Sequence, residues 1–600
     1  MWRFLIALCV LLALAPLGRA QEVELEEVVI TAARLPEPRL EATASVLVIN
    51  AVEIQKKEAR LLPEVLRDVL GLHLVQNGAE GKQASVFLRG TNSDHTLVLI
   101  DGVRVNSTTT GGFDFSAISV DDIERIEVLK GPQSTLYGSD AIGGVINIIT
   151  KRGRGKPRLG VSTEVGTQGT YKASATLSGS AGQVGYRLST GYFSTEGVSA
   201  YKDGTEADGY RNAYISAALD VALSPTVELS IRGRYLYDRN EIDAFGADDP
   251  DRLIRQRNSL ISARATVETA EFWSQSLTVF SQRDAMTTSD GGTVSSRIIV
   301  GRKGLDWQHT LRPLESLTVV AGAELREDEG ENEGNFQEDI TSRALYVNTK
   351  LLAGRLVFNA GLRSDNHETA GTETTYRLGA LWRLPEGFAL RGSYGTGFKA
   401  PDMNDLFWPS SPWASGNPDL KPERSRGWEV GLEKSFTRAK ASVVYFRQEV
   451  EDLIDWQETS PWFWQPVNVA EAEIKGLEAE LSARPVEALL LQATYTWLEA
   501  KDATTGETLP RRPEHRLTLS ADYGTDRWGL RLWALLVGEA VDGGETLDAY
   551  QVLNLAGRYS LGDALTLFAR VENLLDEDYE EAKDYGTKGF SAYAGVRMSF

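Results

Sequence analysis

The chain has 600 residues, a formal net charge of −21 and one cysteine. That length implies more than one structural unit. The acidic balance excludes a nucleic-acid partner, because phosphate binding needs concentrated Lys and Arg; it suits solvated loops or a divalent cation.

Residues 1–20 read as a cleavable secretory leader. Arg3 supplies the positive end, an apolar stretch too short for a membrane span follows, and Gly18-Arg19-Ala20 is the cleavage site. Cys9 lies inside this leader, so the expected mature chain, starting at Gln21, has no disulfide, thiolate nucleophile or cysteine metal site. No later run approaches 18 apolar residues. An exported chain of this kind is either soluble or crosses a membrane as a closed barrel.

Residues 21–45 read as a linker. It carries the β-prone heptad Glu26, Glu27, Val28, Val29, Ile30, Thr31 and Ala32, followed by Pro36 and Pro38. The heptad cannot fold alone and is suited to adding an edge strand to a partner. Residues 46–154 read as a compact mixed domain. A helix is predicted over 63–70, with Pro63 in its first turn and Gly71 as its stop. Short strands are predicted at 85–89, 96–100, 123–129 and 144–150, shorter than a tilted crossing of a bilayer requires.

From 155 to 600 the pattern changes to sustained alternation. Leu517, Leu519, Ala521 and Tyr523 alternate with Thr518, Ser520 and Asp522; Leu565, Leu567, Ala569 and Val571 alternate with Thr566, Phe568, Arg570 and Glu572. Period two makes one face apolar and the other polar. At roughly 20 residues per strand and connection the region holds about 22 strands, and a barrel that wide has a lumen needing a plug. In the last segment Ala594, Val596, Met598 and Phe600 share the apolar face. The expected fold class is an all-β transmembrane barrel of about 22 antiparallel strands, with the N-terminal mixed α/β domain as a plug inside its lumen.

Several runs carry a family resemblance: Phe-Leu-Arg-Gly at 87–90, Val-Leu-Ile-Asp-Gly-Val-Arg at 98–104, Ile-Glu-Arg-Ile-Glu-Val-Leu-Lys-Gly-Pro at 123–132, and residues 136–148. Residues 393–401, 417–423 and 571–576 extend it through the barrel. In order and spacing these resemble the TonB-dependent receptors over essentially the whole mature chain. The resemblance implies active import across the outer membrane of a Gram-negative-type bacterium, with the heptad 26–32 offered to TonB. ExbB and ExbD would energise TonB from the inner-membrane proton gradient. No bond is broken, so no enzyme is expected, and a monomer surrounded by outer-membrane lipid is.

Within that family, residues 76–78 and 87–106 are most similar to receptors for vitamin B12, which implies cobalamin or a related metal chelate as cargo. The loops 76–85 and 106–117 resemble the apical ligand loops, with Gln76, Asn77, Gln83, Ser85 and Asn106 as candidate contacts. Their neutral groups suit a corrinoid's amides, whereas an anionic ferric catecholate would favour Arg and Lys, of which these loops hold only Lys82. Glu206, Asp208 and Asp243, with Asp251 or a neighbour, fall where that resemblance places calcium ligands. Ser199 stands where the pattern has a further aspartate, with Asp203 nearby. Plug charges are expected to face barrel charges, Arg89 and Arg125 pairing with Glu429 or Glu433.

A haem receptor carries a histidine between the motifs at 398–401 and 417–418; here Trp408 and Trp413 stand in that interval instead. A ferric-siderophore receptor of the same architecture stays open. Gly395-Thr396-Gly397 mimics half a dinucleotide fingerprint but sits in a strand without a following helix. A passive porin needs neither plug nor heptad, and a barrel lipase or protease needs a catalytic set. An adhesion role, or use by a phage or bacteriocin, would be secondary to transport.

Overall fold

The computed structural model describes residues 28, 29, 31, 34–244 and 246–600. The predicted leader, together with Glu26, Glu27, Ile30 and Ala32, lies outside the described residues. The alternating region forms 22 antiparallel strands that close on themselves. The first, Arg158–Gly166, pairs with the last, Ser591–Ser599, from Gly160↔Ser599 to Gly166↔Tyr593. Closure leaves no unpaired sheet edge, which a strand in hydrocarbon cannot tolerate.

The period-two pattern sorts the two faces. In Phe336–Ala353, Ser342, Ala344, Tyr346, Asn348 and Lys350 are buried toward the lumen, while Leu345 is 68% exposed and Val347 and Leu351 join it outside. Apolar side chains thus face lipid and polar ones face the interior. About 9–11 tilted residues cross a bilayer. The strand Phe463–Val486, with 24 residues, therefore rises well beyond it. One end of the barrel is closed by tight turns, as between Leu314 and Leu317. The other carries the long connections 196–209, 242–252, 400–422 and 573–590.

Inside sits a small domain built on a five-stranded mixed sheet. Its order is Val46–Asn50, Ile123–Lys130, Gly144–Thr150, Thr96–Ile100, Val103–Arg104. Gly144–Thr150 and Thr96–Ile100 run parallel. Leu62, Val65, Leu66, Leu72, Leu74, Val86, Ile126 and Ile146 form its core, with Leu260 of the barrel wall packed in. Gly144 is needed where it stands: its φ is +150° and an added Cβ would lie 2.3 Å from the Leu129 carbonyl oxygen.

Two predicted elements differ in extent. The predicted helix over 63–70 spans only Leu62–Leu66. Beyond it Asp68 turns aside to an ion pair with Lys57, and Val69 and Leu70 enter the core. Tertiary burial thereby overrides a helical continuation of marginal length. The strand predicted at 85–89 spans Ala84–Leu88, because Arg89 adopts a left-handed φ of 51° that turns the chain out of the ladder.

Candidate ligand face, ion cluster and plug contacts

The two apical loops of the plug rise toward the loop-bearing end of the barrel. Thr108 Oγ1 donates to the Glu329 carbonyl (2.8 Å), near the outer end of the strand Leu317–Asn332. Gln83 is exposed, and Asn77 and Ser85 are half-buried, so these three sit at the surface of their loop. Gln76 and Asn106 are placed differently. Gln76 Nε2 donates to the carbonyls of Ala79 (2.6 Å) and Lys82 (3.3 Å), and its Oε1 accepts from Arg67. Asn106 is fully buried. Its Nδ2 donates to the Thr96 and Gly111 carbonyls and its Oδ1 accepts the Val98 N–H (2.8 Å). Both side chains hold loop backbone, which corrects their assignment as ligand contacts: each is already saturated by groups of its own domain.

Lys82, the one cation of the two loops, is 2% exposed. Its Nζ donates to the Asp208 carbonyl (3.0 Å) and to Asn240 Oδ1 (2.8 Å). Burial pulls this amine down to about 8, with the Asp208 charge opposing.

Asp208 belongs to a carboxylate cluster. Among the described residues, Glu206, Asp208 and Asp243 bring one oxygen each within 4.8 Å of one another. Backbone N–H groups orient two of the three: Ala200 donates to Asp208 Oδ2 (2.6 Å), Tyr201 to Asp243 Oδ2 (2.6 Å), and Asp249 to Asp243 Oδ1 (2.8 Å). Ser199 Oγ donates to the Tyr201 carbonyl (2.7 Å) and lies 3.2 Å from Asp243 Oδ2, so the serine at the departing position adjoins the cluster without supplying a carboxylate. Glu206 Oε1 is buried without a partner. Burial, then the adjoining Asp243 carboxylate and the charges of Asp248 and Asp208, pushes Glu206 up to about 7. Asp208 is pushed to about 6 by burial with Asp243 beside it, against the Ala200 N–H and Lys82. Burial also disfavours charge on Asp243, but its two backbone donors outweigh this and hold it below the usual range. Crowded, N–H-oriented oxygens with one orphan suit a hard cation. Asp251 is not part of the cluster. It is exposed at the far end of its loop, its N–H on Asp249 Oδ1, while Asp248 takes the nearer place, accepting from Thr205.

The plug meets the wall through buried charge. Arg89 pairs with Glu429 (2.7 Å) and Glu478 (3.0 Å), and Lys130 also reaches Glu478 (3.1 Å). Glu429 further accepts the Ser45 N–H (2.8 Å), and Arg89 lies 4.3 Å from the centre of the Phe446 ring. The expected Arg89–Glu429 pair is present. The expected pairing of Arg125 is not: it pairs with Glu127 of its own strand (2.8 Å). Glu433 pairs within the wall, with Arg391 (2.8 Å) and Lys440 (3.1 Å). Arg125 lies on the plug sheet next to Val46–Asn50, out of line with the wall position that Arg89 reaches from its turn. Glu478 and Lys130 escaped the sequence reading, although Glu478 alternates with outward residues in its strand and its parity pointed inward. A second cluster was also missed. Arg60, fully buried, pairs with Glu64 (2.9 Å) and Glu80 (2.8 Å) of the plug and faces Glu572 (3.6 Å) and the Tyr593 ring (4.0 Å) of the barrel.

The described part of the heptad is held on the plug. Val28–Val29 pairs with Glu37–Pro38. Val29 is fully buried among Ala42, Leu97, Leu99 and Tyr137. Thr31 donates through its N–H (2.8 Å) and Oγ1 (2.6 Å) to Glu127, and its carbonyl accepts from Tyr137 (3.0 Å).

Comparison with known proteins agrees with this architecture. Residues 156–574 match the family model "TonB dependent receptor-like, beta-barrel", and residues 38–145 match "TonB-dependent Receptor Plug Domain". The chain is 32% identical to a Photobacterium profundum protein named vitamin B12 transporter BtuB, covering 98% of this chain and 99% of that one. It is 30% identical to a Vibrio vulnificus protein of the same name, covering 98% and 97%. Among solved structures, a mutant form of the ferric enterobactin receptor PfeA of Pseudomonas aeruginosa superposes with a TM-score of 0.83 at 21% identity, covering 96% of this chain and all of that one. The siderophore receptor PirA of Acinetobacter baumannii gives 0.80 at 20% identity, covering 92% and 98%; at such identity the likeness is one of fold. The chain belongs to the TonB-dependent receptors, outer-membrane barrels that work with TonB in active uptake.

Proposed function

We propose that this receptor imports a cobalamin. The observation that carries the reading is that the apical face offers a ligand no free cation: the one cation of loops 76–85 and 106–117, Lys82, is buried on the Asp208 carbonyl and Asn240, and the loops' other charges, Glu80 and Asp114, are negative. A ferric siderophore bearing net negative charge gains nothing from such a face, whereas the amide rim of a corrinoid finds hydrogen-bonding partners in Asn77, Gln83 and Ser85. The full-length relatives named vitamin B12 transporters point the same way.

In this reading Glu206, Asp208 and Asp243 hold calcium. When bound, the ion would offset two of the three carboxylate charges and so relieve their mutual repulsion, fixing the loops 196–209 and 242–252 on which they stand. Through Lys82, which donates to the Asp208 carbonyl, the cluster also bears on the plug loop 76–85. The heptad around Val28 adds as a strand to TonB, which ExbB and ExbD energise, and a leader at 1–20 exports the chain. Cargo transport, without chemistry on the cargo, is the whole of the reaction.

Equilibrium binding of cyanocobalamin to the detergent-purified receptor, with calcium and with chelator, tests this. Tight binding that weakens under chelation is expected. Binding indifferent to chelation would remove the calcium part. No binding in either condition would overturn the ligand and turn the search to siderophores.

A further inference from the structure

Five of the chain's 13 tryptophans stand on two connections at the outer end of the barrel: Trp408 and Trp413 after the helix Met403–Phe407, and Trp456, Trp462 and Trp464 around the tip of the strand pair Ala439–Ser460 and Phe463–Val486. The two connections form one unit. Trp464 N–H donates to the Trp413 carbonyl (2.8 Å), Ser415 N–H to the Trp464 carbonyl (3.2 Å), and Asn417 Nδ2 to the Pro466 carbonyl (3.0 Å). Trp408 and Trp456 meet edge to face at 6.1 Å, and Trp456 Nε1 donates to Asp405. Yet Trp413, Trp462 and Trp464 remain 65%, 75% and 48% exposed. They are surrounded by exposed polar residues such as Gln457, Glu458 and Ser460, which puts them in water and not in the hydrocarbon belt.

This unit is tied to the plug. The helix Met403–Phe407 is capped by Asp402, whose carboxylate an added Cβ on Gly111 would strike at 2.7 Å. Its first two N–H groups donate to the plug carbonyls of Thr108 (3.3 Å) and Thr109 (3.1 Å). The tryptophan surface is thus continuous, through one short helix, with the apical loop 106–117. Its charge is one-sided. Residues 408–418 carry no charge, and residues 455–468 carry Asp455 and Glu458 but no Lys or Arg. Anionic lipid headgroups and anionic chelates are disfavoured there, while a large uncharged ligand with apolar surface beside its polar groups is not.

We infer that Trp413, Trp462 and Trp464 form an aromatic contact surface for the transported ligand, packing against apolar parts of an uncharged macrocycle, such as its methyl-bearing ring edge, before or while its amides engage the apical loops. The assignment rests on the cobalamin reading above and names residues that reading does not use. The test is cyanocobalamin binding to the full-length receptor and to a Trp413→Ser, Trp462→Ser, Trp464→Ser variant. Folding is verified by the heat-dependent gel mobility of the intact barrel. Affinity is expected to weaken at least about tenfold in the variant. In the wild type, the ligand should slow oxidation of Trp413 and Trp464 by N-bromosuccinimide, read by mass spectrometry, and leave Trp528 near the tight-turn end unaffected. Equal affinity of the two proteins, or oxidation unchanged by ligand, overturns the surface while keeping the cargo. A wild type that does not bind cyanocobalamin overturns both.

Discussion

Arg89→Met isolates what the buried plug contact contributes. Arg89, Glu429 and Glu478 are each 4% exposed or less at the side chain, and Lys130 completes a set of two positive and two negative charges. Removing Arg89 leaves one excess carboxylate out of reach of water. Breaking a buried pair from one side costs about 3–5 kcal/mol. Glu429 keeps the Ser45 N–H and Glu478 keeps Lys130, which places the loss near the lower figure. With a urea slope of about 1.5 kcal/mol per M for a domain of this size, the midpoint of plug unfolding should fall by about 2 M. Protease cleavage of the plug during a urea titration, with the barrel intact on gels, measures that midpoint. The double variant Arg89→Met, Glu429→Gln leaves Lys130 facing Glu478 alone and should recover at least half of the loss. A fall below about 0.5 M in the single variant, or a double variant worse than the single, would refute charge imbalance as the cause.

Three further outcomes are expected. Val28→Pro removes a backbone donor from the heptad, so uptake by whole cells should vanish while ligand binding to the purified receptor stays unchanged. Calcium affinity, measured by titration calorimetry, should fall steadily as pH drops through about 7 and then about 6, because Glu206 and then Asp208 take up protons that compete with the ion; affinity constant from pH 8 to pH 5 would exclude these carboxylates as ligands. Asn106→Ala strips three backbone groups of their buried partners and should destabilise the plug by about 2–4 kcal/mol in the same urea assay, without the selective loss of ligand affinity that a contact residue would show.

Much of the architecture was legible because it follows from short-range pattern. A strand between lipid and a polar lumen must alternate, so Leu517 to Tyr523 and Leu565 to Val571 announced a barrel, and the length of the alternating region set its strand number. Runs such as 96–100 and 144–150 gave plug strands to the residue, since each is a continuous apolar stretch bounded by turn residues. The acidic cluster was legible in its three members Glu206, Asp208 and Asp243 but not in its edge. Asp251 and Asp248 are the same residue type three positions apart, and only the turn of the loop decides which one faces inward.

Polarity alone could not separate Gln83 from Asn106. Both are amides in apical loops, yet one is exposed and the other is locked to Thr96, Val98 and Gly111. Nor could charge separate Arg89 from Arg125. Which arginine reaches the wall depends on a left-handed turn after Leu88 and on the axial position of the plug, both set by contacts hundreds of residues away in the chain. Composition and periodicity are local properties, and they suffice to specify a plugged barrel and the positions that can be polar inside it. Partner choice among buried charges is a three-dimensional property of two closed surfaces in register, and it emerges once plug and wall are packed together.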